Sequence, residues 1–161
     1  MRSLALAAFL LAAGAVPAAA QQPVDPTQLE LVRTAAAAER KALVAANLGL
    51  DDAEAEQFWP VYNEYRAKVA EIDARLTDLI GRYAAHYEAM DDETARALLE
   101  GSQEVNEDRI ELRGKYRKRF EKAIGIQKLA RFYQIESKLD AIVNFKLAEQ
   151  IPLIEPGPSA R

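Results

Sequence analysis

"FWPVYNEYRAKVAEIDARLTDLIGRY", residues Phe58 to Tyr83, decides the fold. Its large apolar side chains fall at Phe58, Tyr62, Tyr65, Val69, Ile72, Leu76, Leu79 and Tyr83, in alternating steps of 4 and 3. Steps averaging 3.5 residues keep one face of a helix turned toward a long partner, the pattern of a coiled-coil seam. A sheet would need alternation of period two, and no stretch holds it long enough. The expected fold class is all-α: four helices with a long, kinked antiparallel helical hairpin in the middle. Pro60 is the misfit in the stretch, because proline has no N–H to donate and crowds the carbonyl four residues back. The helix either restarts at Pro60 or runs through it with a kink, and the kink is the expectation. It would fan Phe58, Trp59 and Tyr62 into a hub where the first and fourth helices meet the hairpin.

Working outward, "LDDAE" precedes this helix, with Asp51 placed to cap it and Glu54 to reach back as the acidic form of a capping box. The helix is expected from about Asp52 to Ala89, and "MDDE" then turns the chain so that Asp91 caps a third helix. There Ala95, Leu98, Val105, Leu112 and Tyr116 continue the seam, while Ser102 and Arg109 interrupt it and leave the middle of the hairpin loosely packed or partly open. Gly125 ends the third helix. A fourth, "IQKLARFYQIESKLDAIVNFKLAEQI", is apolar around much of its circumference and wants cover on more than one side. A first helix, opened by Asp25-Pro26, is expected to stop at Gly49.

The ends of the chain set the compartment. Arg2, the apolar run from Leu4 to Val16, Pro17 and the small residues Ala18 to Ala20 form a secretory leader, cleaved near Ala20. The run is too short for the roughly 20 residues that span a bilayer. The expected organisation is a signal peptide over 1–20, one helical domain over 21–151 and a flexible proline-rich tail over 152–161. The expected location is the periplasm, and the mature protein should not span the membrane. Losing Arg2 takes 21 basic residues to 20 against 25 acidic ones, a net charge of −5. That balance favours solubility and argues against nucleic acid as a partner. With no cysteine in the chain, no disulfide can support the fold, so packing or self-association must.

Catalytic chemistry is sparse. The only histidine is His86, no serine sits in a nucleophile motif, and no glycine-rich loop is present. The chain is therefore expected not to be an enzyme and to need no cofactor. His86 and Met90, four apart on one helical face, are the only metal candidates, and they supply too few donors for a tight site. The most distinctive charged stretch is "RGKYRKRFEK". It carries Arg113, Lys115, Arg117, Lys118, Arg119 and Lys122 with Tyr116 and Phe120 between them. With Arg109, these form a candidate cationic, aromatic-lined surface for acidic or partly unfolded polypeptides or lipid headgroups.

Leu50-Asp51-Asp52-Ala53-Glu54 and Ile124-Gly125-Ile126-Gln127-Lys128 stand where two motifs of the form Leu-Thr-x-x-Gln would stand. With the helical hairpin and the leader, they make residues 48–136 resemble the Spy/CpxP-type periplasmic proteins. In this chain Asp and Glu replace Thr and Gln in the first motif, and Gly and Lys take those places in the second. The resemblance implies a dimeric, ATP-independent chaperone or an envelope-stress accessory protein that binds clients on a concave face. The alternatives are a periplasmic metal-responsive sensor centred on His86 and Met90, or a structural partner that docks an envelope membrane protein through its last helix.

Overall fold

A computed structural model describes residues 39–149 and 151–154. Residues 1–20, read as a leader, the expected start of the first helix at Asp25 and residues 155–161 lie outside the described residues. Among the described residues the chain is all helical, with no strand. Helix α1 is described over 39–48, α2 spans Asp52–His86, a 3-10 turn covers Tyr87–Ala89, and α3 spans Asp92–Ala148.

Local chemistry sets the boundaries. After α1 the chain turns at Gly49, whose φ of 65° suits a residue without a Cβ. Asp51 then caps α2: its carboxylate accepts from the Glu54 N–H at 2.9 Å, and Glu54 accepts from the Asp51 N–H at 3.0 Å. Asp91 caps α3 by accepting from the Thr94 N–H at 2.7 Å. Helix α2 runs unbroken through Pro60, so it does not restart there. Pro60 is exposed, and the Glu56 carbonyl that loses its helical partner lies on a solvent-facing turn, where water can serve it.

The seam is largely as the spacing requires. Phe58, Tyr62, Tyr65, Val69 and Ile72 are buried, and Leu76, Leu79 and Tyr83 are half-buried, with Ile80 taking the deeper place at the far end. Across from it, Val105 and Tyr116 are buried on α3. The cross-links show the direction of the partner. Arg75 pairs with Asp108, Asp73 with Arg109 and Glu64 with Arg119, numbers rising on α2 as they fall on α3. The two arms approach closely where Gly101 faces Leu79: a Cβ on Gly101 would sit 2.7 Å from Leu79 Cδ2.

At Gly125 the chain reverses. Its φ of 72° and ψ of 165° are non-helical, in a region open to glycine alone. Beyond it, the Phe132 ring packs tilted against Phe120 with centroids 4.9 Å apart, and the Tyr133 hydroxyl donates to the Arg113 carbonyl at 3.2 Å. In a straight helix the two phenylalanines would stand about 18 Å apart. The two halves of α3 therefore lie antiparallel, and the far half runs back along α2. Nothing lies within 4 Å of a Cβ built on Gly125, so a side chain there is opposed by backbone strain and not by a clash. Gly125→Ala is expected to lose about 1–3 kcal/mol of stability, read from the urea midpoint; an unchanged midpoint would contradict the conformation.

Two clusters hold the molecule. The larger joins Val44 and Leu48 of α1 to Phe58 and Tyr62 of α2 and to Phe120, Leu129 and Phe132 of α3. Phe58 is its centre, with ring centroids of Trp59, Tyr62, Phe120 and Phe132 between 5.0 and 5.6 Å. Lys41 covers the outer face of Trp59 at 5.2 Å. The smaller cluster, at the opposite end, packs Ile80 and Leu147 with Leu76, Val143 and Ile151. The segment read as a tail from Pro152 onward begins as part of this packing. Pro152 is buried and its carbonyl accepts from the Tyr83 hydroxyl at 2.6 Å, and exposure starts with Leu153.

Candidate functional site

Between the two clusters the helices part around a groove of about 840 Å³, walled by α1, α2 and both halves of α3. It lies at the polar break in the seam, where Arg109 pairs with Asp73 instead of packing as an apolar residue would. Five basic side chains line it (Arg40, Lys41, Arg66, Arg109 and Arg113) against two carboxylates, Asp73 and Asp140. In a chain of formal net charge −4, that is a local reversal of sign. Its apolar surface comes from Val69, Ile110, Val143 and Leu147, and Ile110 is 74% exposed.

Beside the groove Glu136 lies buried between arginines. Arg40 Nη1 donates to Glu136 Oε2 at 2.9 Å and Arg66 Nη1 reaches the same oxygen at 3.5 Å, while Arg40 Nη2 holds Asp140 at 2.8 Å. Glu136 Oε1 is buried with no hydrogen-bond partner. Burial pushes the Glu136 carboxyl up from its ordinary value, and Arg40 and Arg66 pull it back only in part. Burial works against the Arg40 charge as well, but Glu136 and Asp140 outweigh it and raise the guanidinium. The Tyr62 hydroxyl is pushed up to about 12, first by burial and then by the Glu136 charge.

The basic stretch from Arg113 to Lys122 departs from expectation. Tyr116 and Phe120 are 7% and 0% exposed and belong to the core, so they cannot line a surface. They sit on the α3 seam, and their cationic neighbours project from the other faces of the helix. Most of those cations already have partners. Lys115 pairs with Glu111 at 2.7 Å and Arg117 with Glu121 at 3.6 Å, and Arg113 reaches Asp140 at 3.7 Å over the Tyr133 ring. Arg119 clasps Glu64 through two nitrogens at 2.8 and 2.6 Å and lies over Tyr116. Lys118 and Lys122 remain exposed and without an ion pair among the described residues. Of the nine positions proposed, the groove gathers only Arg109 and Arg113.

Glu64 accepts from Arg119 and, at 2.7 Å, from the Tyr116 hydroxyl, which together hold its carboxyl down to about 2. A depressed carboxylate contributes stability above its ordinary value of 4.5 that is lost as pH falls toward about 2. Carbon-13 NMR titration should show Glu64 still ionised well below pH 4.5, and a midpoint at the ordinary value would contradict the clasp.

His86 and Met90 do not share a helical face. Helix α2 ends at His86, a 3-10 turn intervenes, and Met90 is extended. The His86 Nδ1 lies 2.8 Å from the Arg82 carbonyl, and no group of three or more His, Cys, Asp or Glu that could hold a metal occurs among the described residues. No described helix is long and apolar enough to cross a membrane.

The two motif-like segments both sit at chain reversals, before α2 and at Gly125. Their last residues, Glu54 and Lys128, form an ion pair, so the fold brings the two segments together. Arg40, Arg66 and Glu136 were not singled out by sequence, although each left a trace. Arg40 precedes Val44 and Leu48 at the same four-residue step, and Glu136 stands one turn after Phe132 in a buried stripe. Comparison with family models, curated proteins and solved structures gives no match to this chain.

Proposed function

We infer that this is a non-enzymatic, exported protein of the periplasm that binds polypeptides without ATP, as a chaperone or envelope-stress modulator. The observation that carries this reading is the groove: a trough with five basic side chains and an uncovered Ile110, in a chain of net negative charge. Charge steers an acidic or partly unfolded segment to such a trough, and apolar contact retains it. The groove takes over this role from the Tyr116 and Phe120 surface. The architecture behind the reading is four helical segments around a long kinked hairpin: α1, α2 and the two halves of α3. Glu54 and Lys128, the last residues of the two motif-like segments, meet at the hub; the resemblance to the Spy/CpxP-type proteins would add pairing as a homodimer. The purified mature protein, at stoichiometric amounts and without ATP, should suppress aggregation of an unfolded client. No suppression, together with no salt-sensitive binding to any envelope protein, would overturn the reading.

A further inference from the structure

The four groove arginines are not equally engaged. Arg40 is held at 2.9 and 2.8 Å by Glu136 and Asp140, and Arg109 is closely paired with Asp73. Arg66 and Arg113 are different. Arg66 has a single carboxylate contact, 3.5 Å from Glu136, and Arg113 has a single one, 3.7 Å from Asp140. Each guanidinium carries five N–H donors; Arg113 also lies over the Tyr133 ring at 5.3 Å, and both arginines line the groove with a single carboxylate contact each. Their carboxylate neighbours, Glu136 and Asp140, are one turn apart on the far half of α3. Both are already bound to Arg40 at the shorter distances.

Beyond these arginines the groove is mixed, with apolar side chains sharing its walls with the Asp73–Arg109 pair and with Asn106 and Asn144. From the level of Arg66, Val69 lies one turn along α2, with Ile110, Val143 and Leu147 as the other apolar walls, and Leu147 belongs to the cluster that closes the far end. Arg66 to Ala74 spans about 12 Å of helix. Ile110, 74% exposed, leaves this apolar run open on one side. The volume of about 840 Å³ lies within the range of small-molecule sites.

We propose that the groove is a binding site for an amphipathic carboxylate, whose head is received by Arg66 and Arg113 and whose medium-length alkyl chain lies along Val69, Ile110, Val143 and Leu147. Arginine favours a planar carboxylate, which it can meet with two parallel hydrogen bonds. The site lies beyond the polypeptide reading: a chain that binds the acid yet suppresses no aggregation keeps this proposal and loses that one.

Calorimetric titration of the purified protein with decanoate tests it. One saturable site is expected, with acetate and decyltrimethylammonium each weaker by at least about tenfold, since one lacks the tail and the other the negative head. The double variant Arg66→Gln/Arg113→Gln should weaken decanoate by at least about tenfold. Lys118→Gln/Lys122→Gln, with the same loss of charge outside the groove, should leave it within about twofold. If the arginine pair fails to fold, Ile110→Asp on the exposed rim serves instead, and it too should weaken decanoate. The proposal is overturned by any of three results: no saturable binding below the concentration at which decanoate self-associates, acetate binding as tightly as decanoate, or equal losses from the arginine and lysine pairs.

Discussion

Phe58→Ala should lower the unfolding free energy by about 4 kcal/mol, the middle of the range for emptying a fully buried aromatic site. Phe58 is 0% exposed and touches rings from its own helix and from both halves of α3. The loss therefore combines the transfer of the side chain, edge-on contacts with Trp59 and Phe132, and a cavity that three helical segments cannot all close. Trp59→Ala, one residue on but only half-buried, should lose distinctly less. Chemical denaturation followed by far-ultraviolet circular dichroism measures both. Similar losses for the two would contradict the central place given to Phe58.

Arg40→Met should be of similar size, about 3–5 kcal/mol at neutral pH, because it leaves Glu136 buried with only the 3.5 Å contact from Arg66. The pH dependence gives the sign. A carboxyl whose folded-state pKa is raised holds its proton better when folded, so its contribution to stability is fully present below the ordinary value of 4.5 and is lost as pH rises through the folded value. Arg40 is the first of the groups that oppose this rise, and without it the folded value climbs further. The loss in Arg40→Met should therefore shrink as pH is lowered toward the ordinary carboxyl range, where Glu136 takes up its proton. Adding Glu136→Met removes the stranded charge, and the double variant should recover much of the stability the single one lost. A loss independent of pH, or a double variant worse than the sum of its parts, would contradict the buried pair.

Much of the fold was legible because its determinants are local. The capping box at Asp51 and Glu54, the cap at Asp91, the left-handed glycines and the 4-3 seam each depend on residues within a turn or two of one another. The site was less legible because its determinants are distant. Arg40 and Glu136 are 96 positions apart and Arg66 and Glu136 are 70; the sequence shows only that each interrupts or flanks an apolar stripe. The basic stretch misled for the opposite reason. Six cations dominate ten residues, yet the four-residue steps Leu112, Tyr116, Phe120 and Ile124 carry the seam straight through it. Helical geometry turns those rings inward and leaves the cations outside. His86 and Met90 share a face only in a helix that continues past His86, and α2 does not.

The reversal at Gly125 creates the groove, because only a folded α3 brings Arg113 and Asp140 together in the lining of the same space. The chain has no native cysteine, so spin labels on Glu111→Cys and Ala141→Cys, both exposed positions, report on it without interference. A label separation within about 20 Å is expected, consistent with helices packed 8–10 Å apart and a side chain on each. A separation of about 45 Å, the length of an uninterrupted helix between those positions, would contradict the reversal and the groove that depends on it.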